Sequence, residues 1–272
     1  MFGELFAKSF PRIILSHLCL LFSCAVAADI GEIKHAGELR IAVISHDIFP
    51  FVYEDKGSLD GIDIRLAKKI AQELGVTARF VREADSFNGV VDNVVDRHAD
   101  IAISKISATL SRTEKVAFSR PYLVLNQALL FNRLALARLT RSQPERAAIR
   151  KLQTGVGVIR HSSYEEYLTR LFPYATPIAF DQWPDAVDAV LDGEVDAIYR
   201  DDFEVKRVMY ERPNGSLLAK SVTLIDRKDE IVIAIGWDNP RLLAWVDRFL
   251  ALHLPLPFNA DQVLKNHTEL LR

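Results

Sequence analysis

Cysteine is nearly absent. The 272-residue chain has two, Cys19 and Cys24, and both lie in its first 27 residues. The remainder can hold neither a disulfide scaffold nor a thiol-based metal site or nucleophile. The seven histidines, His46, His98 and His161 among them, are dispersed, so no metal-ligand spacing is present and no metal is expected. A Gly-rich phosphate loop and a nucleophile elbow are also missing, and no cofactor is expected. Lys and Arg number 34 against 36 Asp and Glu, without a dense basic block, which speaks against a nucleic-acid partner. The 12 glycines and 11 prolines are scattered, which excludes low-complexity sequence. What remains is a globular balance, 49% hydrophobic and 26% charged, long enough for one large domain or two modest ones.

The N-terminus reads as a targeting segment over residues 1–27. Lys8 and Arg12 give a positive start, an apolar run from Ile13 to Phe22 follows, and Ala25-Val26-Ala27 supplies small residues for cleavage before Ala28. The apolar run falls short of the roughly 20 residues of a membrane span. An uncleaved anchor and a lipoprotein signal at Leu21-Phe22-Ser23-Cys24 are the alternatives. Export to the periplasm is the expectation.

Beyond this segment, strand and helix patterns alternate. Leu39 to Ile44 is an apolar run suited to a buried parallel strand. Gly61 to Gly75 is an amphipathic helix, with Ile62, Leu66, Ile70 and Leu74 on one face. Strands are expected at 78–81 and 100–104 around a helix at 87–97. The order repeats with strands at 156–159, 178–180 and 197–199 and helices at 163–172 and 186–193. Residues 135–150 read as surface loop and helix. A strand at 231–235, a helix at 239–252 and a final helix capped by Asn259 complete the pattern. Val91, Asp92, Val94, Asp96 and Asp100 recur as Val187, Asp188, Val190, Asp192 and Asp196 at a fixed offset of 96. The β-α-β order, twice, predicts an α/β protein with two similar parallel-sheet units.

The segment Ser104 to Tyr122, SKISATLSRTEKVAFSRPY, resembles the signature of the family 3 extracellular solute-binding proteins, with Thr109, Arg112, Phe118, Ser119, Pro121 and Tyr122 in register. Phe49-Pro50-Phe51 with Asp60-Gly61-Ile62-Asp63-Ile64, and Val195 to Asp201, resemble two further stretches of that family. The resemblance implies the periplasmic binding protein-like II fold: two Rossmann-like α/β lobes joined by a two-crossing hinge. Lobe 1 would be residues 29–122 plus 232–272 and lobe 2 residues 127–226, with crossings near Val124 and Lys228. It also implies a monomeric receptor, not an enzyme, that captures an amino acid or related carboxylate and delivers it to an inner-membrane ABC permease.

For the site, the resemblance points to Ser104, Lys105, Ser107 and Arg112 after one strand, and to Ser162, Ser163 and Asp201 in the second lobe. The chemistry agrees. A guanidinium grips a carboxylate in a bidentate way, and N–H groups at a helix start assist it. A carboxylate from the opposite lobe meets an ammonium. Phe87 is expected as a lid or as core, and Phe51 as a ligand aromatic or as core; Asp201 and the two serines also suit helix capping.

The sequence departs from the family in ways that bear on specificity. Lys105 and His161 stand where the family often has Gly, Ile48 where it often has an aromatic, and Ser45 where it often has an acid. Arg112, Lys105, Arg200 and His161 are the cations expected to face the cleft, against Asp201 and Asp202. A buried Lys105 ammonium would need a partner, which favours a ligand with a second carboxylate, unless Lys105 pairs with Asp47 or Asp202 or reaches solvent. The competing functions are a cyclohexadienyl dehydratase-like enzyme and a periplasmic sensor or accessory protein.

Overall fold

The computed structural model describes residues 30–271; the expected targeting segment lies outside the described residues. The apolar run becomes strand β1 (Glu38–Ile44), buried because it lies between two parallel neighbours, β4 (Thr77–Ala84) and β5 (Ile101–Ser107). Helix α1 (Ile30–Ala36) precedes β1, and a hairpin of β2 (Tyr53–Asp55) and β3 (Ser58–Asp60) follows it. The crossover helices are α2 (Ile62–Leu74) and α3 (Phe87–Val95). Ile62, Leu66, Ile70 and Leu74 all point into the core, and Gly75 ends α2 in the left-handed conformation. Ser86 caps α3 by accepting the Gly89 N–H. After β5 come the single turn α4 (Leu110–Thr113), β6 (Val116–Phe118) and β7 (Leu123–Asn132).

The repeated unit follows as α5 (Arg133–Leu139), α6 (Glu145–Arg150), β8 (Gly155–Ile159), α7 (Ser163–Leu171), β9 (Thr176–Phe180), α8 (Trp183–Asp192) and β10 (Ala197–Asp201). The chain ends with α9 (Asp202–Glu211), α10 (Gly215–Leu218), β11 (Ala219–Gly236), α11 (Pro240–His253) and α12 (Ala260–Asn266). Asn259 and Gln262 form a capping box on α12, as the sequence predicts. The offset of 96 is structural: α3 begins at Phe87 and α8 at Trp183, β5 at Ile101 and β10 at Ala197.

One nine-stranded sheet runs through the molecule in the order β4-β1-β5-β11-β7-β10-β8-β9, with β6 also on β11. Its middle is an antiparallel pair, β7 with β11. Ala219–Leu224 pair with Gln127–Asn132, the register shifts, and Lys228–Ile231 pair with Leu123–Asn126. Beyond the shift, β11 turns its other edge to β5 and β6. Two apolar clusters flank the half of the sheet built on β1 and β5, and two flank the half built on β8 and β10. The sequence reading starts β11 only at Ile231. Its first twelve residues escape because the charges at 226–230 read as a loop, whereas they adjoin the register shift, where the strand is exposed except at Asp229.

Candidate functional site

The strands deliver chemistry at their carboxyl ends, where the two sheet halves face each other. At the end of β5, Thr109 caps α4 and accepts the Arg112 N–H, which fixes the arginine beneath the loop. The Arg112 side chain is 4% exposed. Nε donates to Asn88 Oδ1 at 3.0 Å and Nη1 to the Ser107 carbonyl at 3.0 Å, while Nη2 has no partner within the described residues. Burial lowers the Arg112 pKa, as desolvation does for any cation.

At the end of β10, Asp201 caps α9: Oδ1 accepts the Glu204 N–H at 3.0 Å. Its other oxygen accepts from Lys105 Nζ at 2.9 Å, and the same ammonium reaches Glu204 Oε1 at 2.9 Å. The ammonium also stands 5.0 Å from the Phe51 ring centroid and 5.2 Å from that of Phe203. Lys105 and Asp201 are themselves one offset of 96 apart, so equivalent places in the two repeats carry opposite charges and meet across the junction. Lys105 holds a left-handed φ of 50°, a conformation that costs a side-chain-bearing residue roughly 1–2 kcal/mol. Asp63 secures it by accepting the Lys105 N–H at 2.6 Å and the Tyr122 hydroxyl at 2.8 Å. Burial pushes the Asp63 carboxyl up to about 7 against both of those donated bonds.

A second buried carboxyl comes from β11. Asp229 Oδ2 accepts from Ser107 Oγ at 3.1 Å and from the Tyr164 hydroxyl at 2.8 Å, while Oδ1 has no partner within the described residues. Because the Ser107 hydrogen goes to Asp229, Ser163 is the donor in its 2.9 Å contact with Ser107. Burial, with Asp201 nearby, pushes the Asp229 carboxyl up to about 6. Burial likewise raises the Tyr164 phenol, and Asp229 adds to it.

These groups enclose a cavity of about 10 Å³, lined by Phe87, Lys105, Ser107, Arg112, Ser162, Ser163, Tyr164, Arg200, Asp201, Asp229 and Ile231. A space of that size holds roughly one water. It adjoins a wider mouth of about 180 Å³ that shares Phe87 and Arg200 and adds His46, Trp183 and Glu204. The Arg200 guanidinium lies 5.3, 5.8 and 5.7 Å from the rings of Phe87, Tyr164 and Trp183.

Seven of the nine expected site residues line this cavity: Phe87, Lys105, Ser107, Arg112, Ser162, Ser163 and Asp201. Ser104 does not. Its hydroxyl accepts the Ile44 N–H at 3.1 Å inside the sheet, because side chains alternate along β5 and Ser104 faces away. Phe51 is fully buried core, packed edge-on against Phe203 at 5.3 Å. The Ser162 hydroxyl donates to the Ile159 carbonyl at 2.6 Å. His161 is exposed, and Asp202 is engaged with Asn126 in β7. The Lys105 ammonium pairs with Asp201 and Glu204, not with Asp47 or Asp202, so it needs no second ligand carboxylate. Asp229 and Tyr164 are not singled out in sequence. The charge run around Asp229 resembles a solvated loop, yet the residue keeps step with Ile231, Ile233 and Ile235 at the spacing of one strand face. Among the described residues no cluster of His, Cys, Asp and Glu could hold a metal, and no helix is long and apolar enough to cross a membrane.

Comparison with known proteins adds a family. The profile of the bacterial extracellular solute-binding proteins, family 3, matches residues 39–253. A membrane-bound lytic murein transglycosylase F of Saccharophagus degradans is 28% identical over 200 residues, 71% of this chain but only 38% of that relative. An arginine-binding periplasmic protein of Mannheimia haemolytica is 25% identical over 185 residues, 68% of each chain. Among solved structures, an ancestral amino acid-binding protein described as a precursor of cyclohexadienyl dehydratase superposes with a TM-score of 0.66 at 27% identity, covering 88% of this chain and 94% of that one.

Proposed function

Because the chain belongs to the bacterial extracellular solute-binding proteins, family 3, we propose that it is a receptor whose two lobes close on a small amino acid outside the cytoplasm and present it to an ABC permease. The lobes are residues 30–122 with 232–271, and residues 127–226. They part and close about β7 and about the register shift in β11, whose strands alone continue from one half of the sheet into the other. The observation that carries the reading is the Arg112 side chain. It is a buried guanidinium in the cavity lining, held by Asn88 and Ser107, with Nη2 left over. A ligand carboxylate is the group that completes it.

The experiment is a thermal-shift and calorimetry screen of the purified chain against amino acids. A ligand at 100 times its Kd adds about 2.7 kcal/mol of stability. Replacing Arg112 with Ala is expected to weaken that ligand by about 2–5 kcal/mol. Binding within a factor of about two of wild type, or a panel with no binder, would overturn the reading. Incubation with prephenate or arogenate is the control for catalysis, and turnover would replace a receptor with an enzyme.

A further inference from the structure

Three residues of the cavity lining carry buried polar atoms with no hydrogen-bond partner within the described residues: Arg112 Nη2, Arg200 Nε and Nη1, and Asp229 Oδ1. All three residues are at most 6% exposed. A buried polar atom is completed by a partner or carries an energetic penalty, and a buried charge all the more. Asp201 is in a different position. One oxygen caps α9, the other holds Lys105, and Arg200 Nε lies 3.6 Å from the latter. A ligand ammonium at Asp201 would have to share an oxygen already engaged by Lys105 or by the start of α9, whereas Asp229 Oδ1 is unshared.

We infer that Asp229, not Asp201, holds the ligand's ammonium, that Arg200 holds a side-chain carboxylate, and that the ligand is therefore an acidic amino acid. This rests on the receptor reading, with the ligand's main carboxylate on Arg112. Asp229 and Arg112 share Ser107 as a neighbour, so an anion-seeking and a cation-seeking group stand on the two sides of one residue. That suits an α-carboxylate and an α-ammonium, which are separated by a single carbon; the space between them now holds roughly one water, so the lobes have to part to admit the ligand. Arg200, with Phe87, lines both this cavity and the wider mouth, the side on which a ligand side chain has room. Lys105, Arg200 and Arg207 are balanced there by Asp201, Glu204 and Glu211. The other carboxylates of the mouth, Asp47 and Asp181, pair with Arg82 and Arg160. The Arg200 charge reaches His46, whose pKa is lowered first by burial and then by Arg200.

The test is calorimetry with L-glutamate, L-aspartate, L-glutamine, L-arginine and the deaminated analogue 2-hydroxyglutarate. It compares wild type with Asp229→Asn, Asp201→Asn and Arg200→Gln. Wild type is expected to favour an acidic amino acid over glutamine and over 2-hydroxyglutarate by about tenfold or more. Asp229→Asn should shrink the ammonium preference to about threefold or less and Asp201→Asn should leave it, while Arg200→Gln should erase only the preference for acid over amide. Tighter binding of glutamine or arginine, or an ammonium preference lost in Asp201→Asn and kept in Asp229→Asn, overturns the inference. A crystal structure of the wild-type complex decides the point without any variant: ammonium nitrogen within about 3.2 Å of Asp229 supports it, and contact with Asp201 overturns it. If a neutral or basic amino acid binds and Arg112→Ala abolishes that binding, the receptor reading survives and this inference does not.

Discussion

Replacing Lys105 with Met removes a buried ammonium at nearly constant volume. The Lys105 side chain is 3% exposed and its partners Asp201 and Glu204 are 2% and 5% exposed, so both carboxylates would lose a cation in a place water does not reach. Burial alone would raise the Glu204 pKa, but Lys105, Arg207 and Arg200 outweigh it and hold the carboxyl at about 2. Removing one partner of a buried pair costs about 3–5 kcal/mol. Arg200 and Arg207 remain nearby, which puts the expectation at the lower end. Where that cost falls is decided by the topology. Lys105 comes from β5, and Asp201 and Glu204 come from β10 and α9, so on the two-lobe reading proposed above, parting the lobes would hydrate both carboxylates without unfolding either. The closed form should therefore lose population against the open one by a factor of about 10². Small-angle scattering should report a larger radius of gyration for Lys105→Met, with a melting temperature near that of wild type. An unchanged radius with a melting temperature lower by about 6–20 °C would place the whole cost on unfolding and refute the hinge argument. No change in either would show that the ion pairs hold nothing.

Other outcomes follow from the same structure. Asp63 and Asp229 have folded pKa values raised to about 7 and about 6, so their stabilisation is full below the unfolded carboxylate range and is lost as pH rises through those values. Glu204, held at about 2, contributes above its unfolded value and loses that contribution as pH falls. Urea midpoints should accordingly peak near pH ~4, and Asp63→Asn should flatten the alkaline side of the curve; a midpoint that climbs from pH ~5 to pH ~7 in wild type would contradict this. Gly61 has φ 128°, and a Cβ there would lie 2.1 Å from the Phe51 carbonyl oxygen. Gly61→Ala should therefore lower the melting temperature by about 6 °C or more while leaving ligand selectivity unchanged, and a shift under about 2 °C would refute the clash.

The periodic elements are legible in the sequence because they depend on local pattern. The α2 stripe from Ile62 to Leu74 and the apolar run of β1 state their own faces, and the repeat at offset 96 places α8 and β10 from α3 and β5. Asn259 announces its helix start by chemistry alone. The misses have a common physical cause: they depend on partners distant in sequence. Asp229 looks solvated until Tyr164, 65 residues away, donates to it. Lys105 looks unpaired until β10 brings Asp201 across 96 residues. Ser104 sits within the motif, yet its hydroxyl belongs to the backbone of β1, 60 residues earlier.

The placement of β11 also fixes the order in which the protein can be completed as it is made. Once the chain has been synthesised through Leu224, the sheet half built on β8 and β10 already owns all its strands, including the opening residues of β11. The half that was made first does not. β5 has β1 on one side, and its other edge waits for Ile231–Ile235. The earlier half is thus finished only after the later one. A chain stopped anywhere before Ile231 would carry Ile101, Ala102 and Ile106 on an unpaired edge, the kind of apolar strand border that recruits other chains into aggregates.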